Sequence, residues 1–155
     1  LHSDDDLVLH TRIGSMGELA KIWPQRNNAF EFIVLIGHGS KDGFYFACDE
    51  WVNSEQLLEI INTPQSNPKN ILSLCCETGK CPFAKKLSLA RVCKSYIAPF
   101  HSIHGAVASQ FFQTYLTQLL LEGRTKKTAF NNARKNVTGS SKFRFWENGK
   151  LKSPK

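Results

Sequence analysis

The chain has 155 residues and lacks any apolar run near the roughly 18 residues that cross a bilayer, which excludes a helical membrane span. It also lacks a basic amino-terminal region; the opening LHSDDDLVLH is acidic, unlike a secretory signal. Methionine is almost absent, a single Met16, and the chain does not begin with it, so flanking domains are expected. There is no CxxC…CxxC spacing among Cys48, Cys75, Cys76, Cys81 and Cys93, which argues against structural zinc. Five is an odd number, so free thiols in a reducing, cytoplasmic setting are expected rather than a disulfide framework. Internal repeats, low-complexity segments and the spacings of Walker or dinucleotide loops are missing too. No metal or organic cofactor is therefore expected.

Acid is scarce at the carboxyl-terminal end. From Arg134 to Lys155 there are seven basic residues (Arg134, Lys135, Lys142, Arg144, Lys150, Lys152, Lys155) against one acid, Glu147. The expected organisation is one domain over residues 1–142. A solvated basic tail over 143–155, ending in a short strand, follows it. The tail's other reading is contact with nucleic acid or an acidic partner, since Phe143, Phe145 and Trp146 interleave with the charges.

What is present suits a globular α/β domain: 41% hydrophobic and 21% charged residues. LVLHTRI (Leu7 to Ile13) reads as a short strand, and SMGELAKIW as a helix stopping before Pro24. FEFIVLIGHG reads as a central strand, apolar on both faces. GFYFA and EWV read as a hairpin. Asn53 and Gln56 form a capping box for SEQLLEII. NILSLCC is a second apolar strand, followed by a helix opened by Pro82 and by the strand SYIAPF. An i, i+4 pattern from Val107 (Phe111, Tyr115, Leu119) predicts a long helix closed by Gly123, and Thr125 caps the last helix. Such alternation predicts a mainly parallel sheet with helices on both faces.

In such sheets functional groups collect at the carboxyl ends of strands. Two polar clusters stand there, GHGSKDG with His38 and CCETGK with Cys76. A thiol nucleophile needs a nearby base or cation to supply thiolate at neutral pH. A histidine and a cysteine at neighbouring strand ends meet that need, and the flanking Gly37 and Gly39 let backbone approach a reacting carbonyl. The plainer readings are a structural histidine and an inert, core-packed cysteine. Alternation places Leu72, Leu74 and Cys76 on one face of the strand, and Ile71, Ser73 and Cys75 on the other.

FIVLIGHGS followed by ILSLCCETGK resembles the paired signature of caspase-like (clan CD) cysteine peptidases, particularly the CHAT family. SLARVCKSYIAPF and FFQTYLTQLLLEGRTKKTAFNNAR are similar to that family's later elements, so the likeness spans about Phe32 to Arg134. The resemblance implies a three-layer sandwich and a cysteine endopeptidase acting on a protein substrate without a metal. It makes His38 the catalytic histidine and Cys76 the nucleophile, with Gly39 and the Cys76 amide as oxyanion hole. Cys75 takes a slot where relatives commonly have alanine, and the QACRG form of animal caspases is absent. A regulatory protein or a helical-repeat domain outside this chain is an implied partner. Asp42 and Glu77, with Asp49 and Glu50, are candidate substrate-pocket acids favouring a basic side chain. The other class of function is a non-catalytic interaction module.

Overall fold

The computed structural model describes residues 8–48 and 51–153. The first helix, α1 (Met16–Arg26), begins where Ser15 accepts a hydrogen bond from the Glu18 amide. It does not stop before Pro24 but runs through it. Proline near a helix end sacrifices one backbone bond. Burial of Trp23, whose indole donates to Ser66 Oγ at 2.9 Å, holds the last turn in place.

Strand β1 (Phe32–Leu35) follows, then a small antiparallel sheet of β2 (His38–Ser40), β3 (Gly43–Tyr45) and β4 (Trp51–Val52). Helix α2 (Ser54–Ile61) opens on the expected capping box of Asn53 and Gln56. Next come β5 (Lys69–Ser73), α3 (Phe83–Leu89), β6 (Cys93–Pro99) and α4 (Gly105–Leu116). A π-helical extension, Thr117–Leu121, carries α4 toward Gly123, whose φ of +63° ends it. Thr125 caps α5 (Lys126–Asn136) by accepting from the Thr128 amide. The chain closes with β7 (Phe143–Glu147) and β8 (Lys150–Leu151).

The main sheet is mixed, in the order β1-β5-β6-β7-β8. β1, β5 and β6 run parallel, β7 pairs antiparallel with β6, and β8 antiparallel with β7. Helices cover both faces. On one, Trp23 of α1, Leu57 and Ile61 of α2, and Phe83 and Leu87 of α3 pack against Ile71 and Tyr96. On the other, Phe111 and Tyr115 of α4 and Phe130 and Ala133 of α5 pack against Leu72, Ile97 and Phe143. Every residue of β5 is buried, the apolar Ile71 and Leu72 together with the polar Lys69, Asn70 and Ser73.

Four expectations need correction. Residues 8–13 form no strand (Leu7 lies outside the described residues), and Val8 is 70% exposed. Among the described residues β1 is consequently an edge strand rather than a central one, with its four residues half-buried. Its apolar residues still alternate between the two cores: Ile33 and Leu35 pack on one, Phe32 on the other. Nor does the run FEFIVLIGHG make one strand, because β1 ends at Leu35 and His38 already belongs to the small sheet. Finally, residues 143–151 are no solvated tail. Phe143, Phe145 and Trp146 are core residues, and β7 hydrogen-bonds along β6. Alternating aromatics there are the mark of a strand buried on both faces, with the charges lying between them. Among the described residues no helix is long and apolar enough to cross a membrane.

Candidate functional site

Register brings the two polar clusters together. In the β1/β5 ladder Leu35 pairs with Ser73, and the Leu74 amide donates to Leu35 O at 2.8 Å. The ladder ends at that pair, and the two polar clusters follow immediately on the two strands. The two glycines make the contact. A Cβ placed on Gly37 would lie 3.9 Å from Cys75 Sγ. One placed on Gly39 would lie 2.8 Å from both Cys75 Cβ and Cys76 O, and 2.7 Å from Thr78 Cγ2. Only glycine lets the start of β2 cross the CCET turn this closely. His38 therefore stands between two residues that touch the cysteine turn, with an exposed side chain. Among the described residues no hydrogen bond joins its ring to Cys76.

The turn itself is pinned from several directions. Thr78 is fully buried; its hydroxyl donates to Cys75 O at 2.9 Å and lies 2.8 Å from Ser73 Oγ. Ser73 Oγ accepts from the Cys75 amide, and the Tyr96 hydroxyl donates to Thr78 O at 3.1 Å. The Gly79 amide donates to Pro99 O, and the Trp146 indole donates to Gly79 O. This network holds Glu77 at φ +61°, a left-handed conformation that costs a non-glycine residue about 1–2 kcal/mol.

The two thiols are unequal. Cys75 is 2% exposed, in the core under α3, and burial pushes its thiol up from the ordinary 9.0 to about 11. Its sulfur donates to Leu35 O at 3.7 Å. Cys76 is partly exposed on the opposite side of the strand. Its Sγ accepts from the Ile103 amide at 3.5 Å and donates to Ile103 O at 3.8 Å. As thiolate it keeps the amide contact and loses the other, so Ile103 N–H is a donor suited to negative sulfur. The Cys76 amide donates no hydrogen bond among the described residues.

Ile103 is a neighbour that sequence reading missed. It follows β6, the third parallel strand ending at this edge, and the strand order was the available signal. The small sheet contributes another. His38 pairs across to Tyr45, and Tyr45 to Trp51, so the three side chains form one row on one face. Tyr45 and Trp51 are 48% and 51% exposed, with ring centroids 5.6 Å apart.

The anticipated pocket acids already have partners. Glu77 meets Lys80 Nζ at 3.0 Å, and Asp42 meets Lys41 Nζ at 3.0 Å. Asp42 borders a shallow depression of about 190 Å³ shared with Asn53, Glu55, Phe83 and Lys86. Asp49 and Glu50 lie outside the described residues. A larger cavity, about 370 Å³, is lined by Lys126, Lys127, Phe145, Glu147 and Lys152. It sits at the far end of the sheet, where Lys126 reaches Asn70 at the start of β5, and takes no part in the Cys76 site. No group of three or more His, Cys, Asp or Glu positioned for a metal occurs among the described residues. No family model and no curated protein matches the chain.

Proposed function

We propose that the chain is a caspase-like cysteine endopeptidase domain of the CHAT type, with Cys76 as nucleophile and His38 as acid and base. One observation carries the reading: the parallel register and the Gly37 and Gly39 contacts set the histidine segment against the turn bearing the less buried cysteine.

In this reading the His38 imidazole takes the Cys76 proton, and Ile103 N–H favours the resulting thiolate. The sulfur attacks the scissile carbonyl carbon while the Gly39 and Cys76 amides receive the developing oxyanion. The imidazolium returns its proton to the departing amine as the C–N bond breaks. Water, losing a proton to His38, then hydrolyses the thioester and restores the thiol. The burial of Cys75 supports the choice of sulfur, because a thiol raised to about 11 supplies little thiolate at neutral pH.

Activation by a partner or an additional domain belongs to the proposal. Catalytic hydrogen bonds are often long before substrate binds, and closing the His38–Cys76 pair is the step such a partner would drive. A second reading, a non-catalytic interaction module, is favoured by the engagement of Cys76 sulfur with Ile103 instead of His38.

Cleavage of a diverse peptide library, with and without candidate partners, separates the two. The peptidase reading expects cleavage by the parent and by Cys75→Ala, and at least a hundredfold loss, on the order of a general-base contribution, in His38→Ala and Cys76→Ala. Undiminished cleavage by Cys76→Ala refutes it. No cleavage of any peptide under any condition replaces it with the interaction module.

A further inference from the structure

Three cations stand at the sheet end that carries Cys76 without a carboxylate partner among the described residues. Arg134 Nη2 and Arg144 Nη1 donate to the same oxygen, Ser141 O, at 2.8 and 2.7 Å, and Arg144 Nη1 also donates to Phe143 O at 3.0 Å. Lys142 Nζ donates to Ser102 O at 2.9 Å. None of the ion pairs among the described residues includes any of the three. Moreover, Arg134 Nε is buried and has no hydrogen-bond partner.

The carbonyl oxygens of Ser141 and Phe143 carry only partial charge and do not neutralise the two guanidinia held on them. Burial lowers the proton affinity of both groups, and for Arg144 the nearby Arg134 charge lowers it further. Aromatic faces help to hold them: Arg134 lies over Phe130 at 5.6 Å and Arg144 over Phe100 at 5.2 Å. The carboxyl end of α5 accounts for one cation, since its dipole favours Arg134 there. It does not account for a second arginine and a lysine beside it. Converging guanidinium forks with spare N–H groups and unbalanced charge are what a bidentate oxyanion requires.

We propose that Arg134 and Arg144, with Lys142 alongside, bind a single oxyanion, supplied either by a carboxylate of an acidic polypeptide or by inorganic phosphate. The anion bridges the two forks through the N–H groups that Ser141 and Phe143 leave unused and removes their mutual repulsion. The cation cluster adjoins the candidate site along the chain. Phe100 carries Arg144 on its ring, Ser102 holds Lys142, and the adjoining Ile103 contacts Cys76 sulfur. Binding is independent of the peptidase reading, and an inactive protein tests it equally well.

The test is thermal unfolding of the full chain in sodium chloride, sodium phosphate or a glutamate-rich peptide, all at matched ionic strength. A Tm gain of roughly 5–10 °C over chloride is expected when ligand exceeds its Kd about a hundredfold. Arg134→Gln and Arg144→Gln should each lose most of that gain. A response to the peptide alone makes the source a polypeptide, and a response to phosphate makes it the free anion. A gain retained in both variants overturns the proposal. So does an equal response of the parent to chloride, phosphate and peptide, an outcome readable even where a variant does not fold.

Discussion

Gly39→Ala tests the contact on which the candidate site depends. The added methyl would meet Thr78 Cγ2 at 2.7 Å, Cys75 Cβ at 2.8 Å and Cys76 O at 2.8 Å, all closer than carbon atoms pack. None of these neighbours is the far end of a flexible chain. Thr78 is fixed by Ser73 and Cys75 O, Cys75 lies in the core, and Cys76 O belongs to a turn held by Tyr96 and Trp146. Relief must come from moving β2 off the turn. Overpacking of this kind costs about 1–3 kcal/mol, and the rigid surroundings put this site at about 2–3. For a chain of this size that is a Tm drop of roughly 4–12 °C, measured by calorimetry or circular dichroism. Gly105→Ala is the internal control. Nothing lies within 4 Å of its Cβ, and it opens α4, so the change should be neutral or mildly stabilising. Equal Tm values for parent, Gly39→Ala and Gly105→Ala would refute the close approach of the His38 segment to the cysteine turn, and the proposed dyad with it.

Two further outcomes follow from the buried thiols. In iodoacetamide labelling at pH 7.5, read by peptide mapping, Cys75 should react at least roughly a hundredfold more slowly than exposed Cys48 and Cys81. Its two-unit rise, from 9.0 to about 11, removes that much thiolate, and comparable rates would contradict its burial. Stability should also fall on the alkaline side. Burial raises Cys75 to about 11 and Cys93 to about 12, so the unfolded chain loses these protons first. The stabilisation is whole below about pH 9 and declines as pH rises through the folded values. The loss amounts to about 2–3 kcal/mol for each thiol by pH 11. Tyr96 and Tyr115, also raised by burial, steepen the decline. Denaturant melts at pH 8 and pH 11 check this, and a Cys93→Ala variant should show a shallower loss than the parent.

Much of the local structure was legible in the sequence because short-range chemistry decides it. The Asn53–Gln56 box, the Thr125 cap, the Gly123 stop and the apolar ridge from Val107 need only neighbours within a turn or two. The two faces of β5 were legible as well, since period-two alternation continues past the strand's end: Leu72 and Leu74 pack on the α4 side, Ile71 and Cys75 on the other. Even the equal offset between the two clusters was present in the chain. What it lacked was the long-range pairing. An apolar run reads alike at the centre or the edge of a sheet when helices cover both faces, so β1 was misplaced. A basic, aromatic-rich end reads as a solvated tail until its aromatics find a core, as Phe143, Phe145 and Trp146 do. The tertiary structure alone decided that β7 seats Arg144 beside Arg134, and that β6 delivers Ile103 to Cys76. It also decided that Cys75 is buried while Cys76 is not. Each depends on which distant segments exclude water together, a property of the packed whole that no single stretch of residues carries.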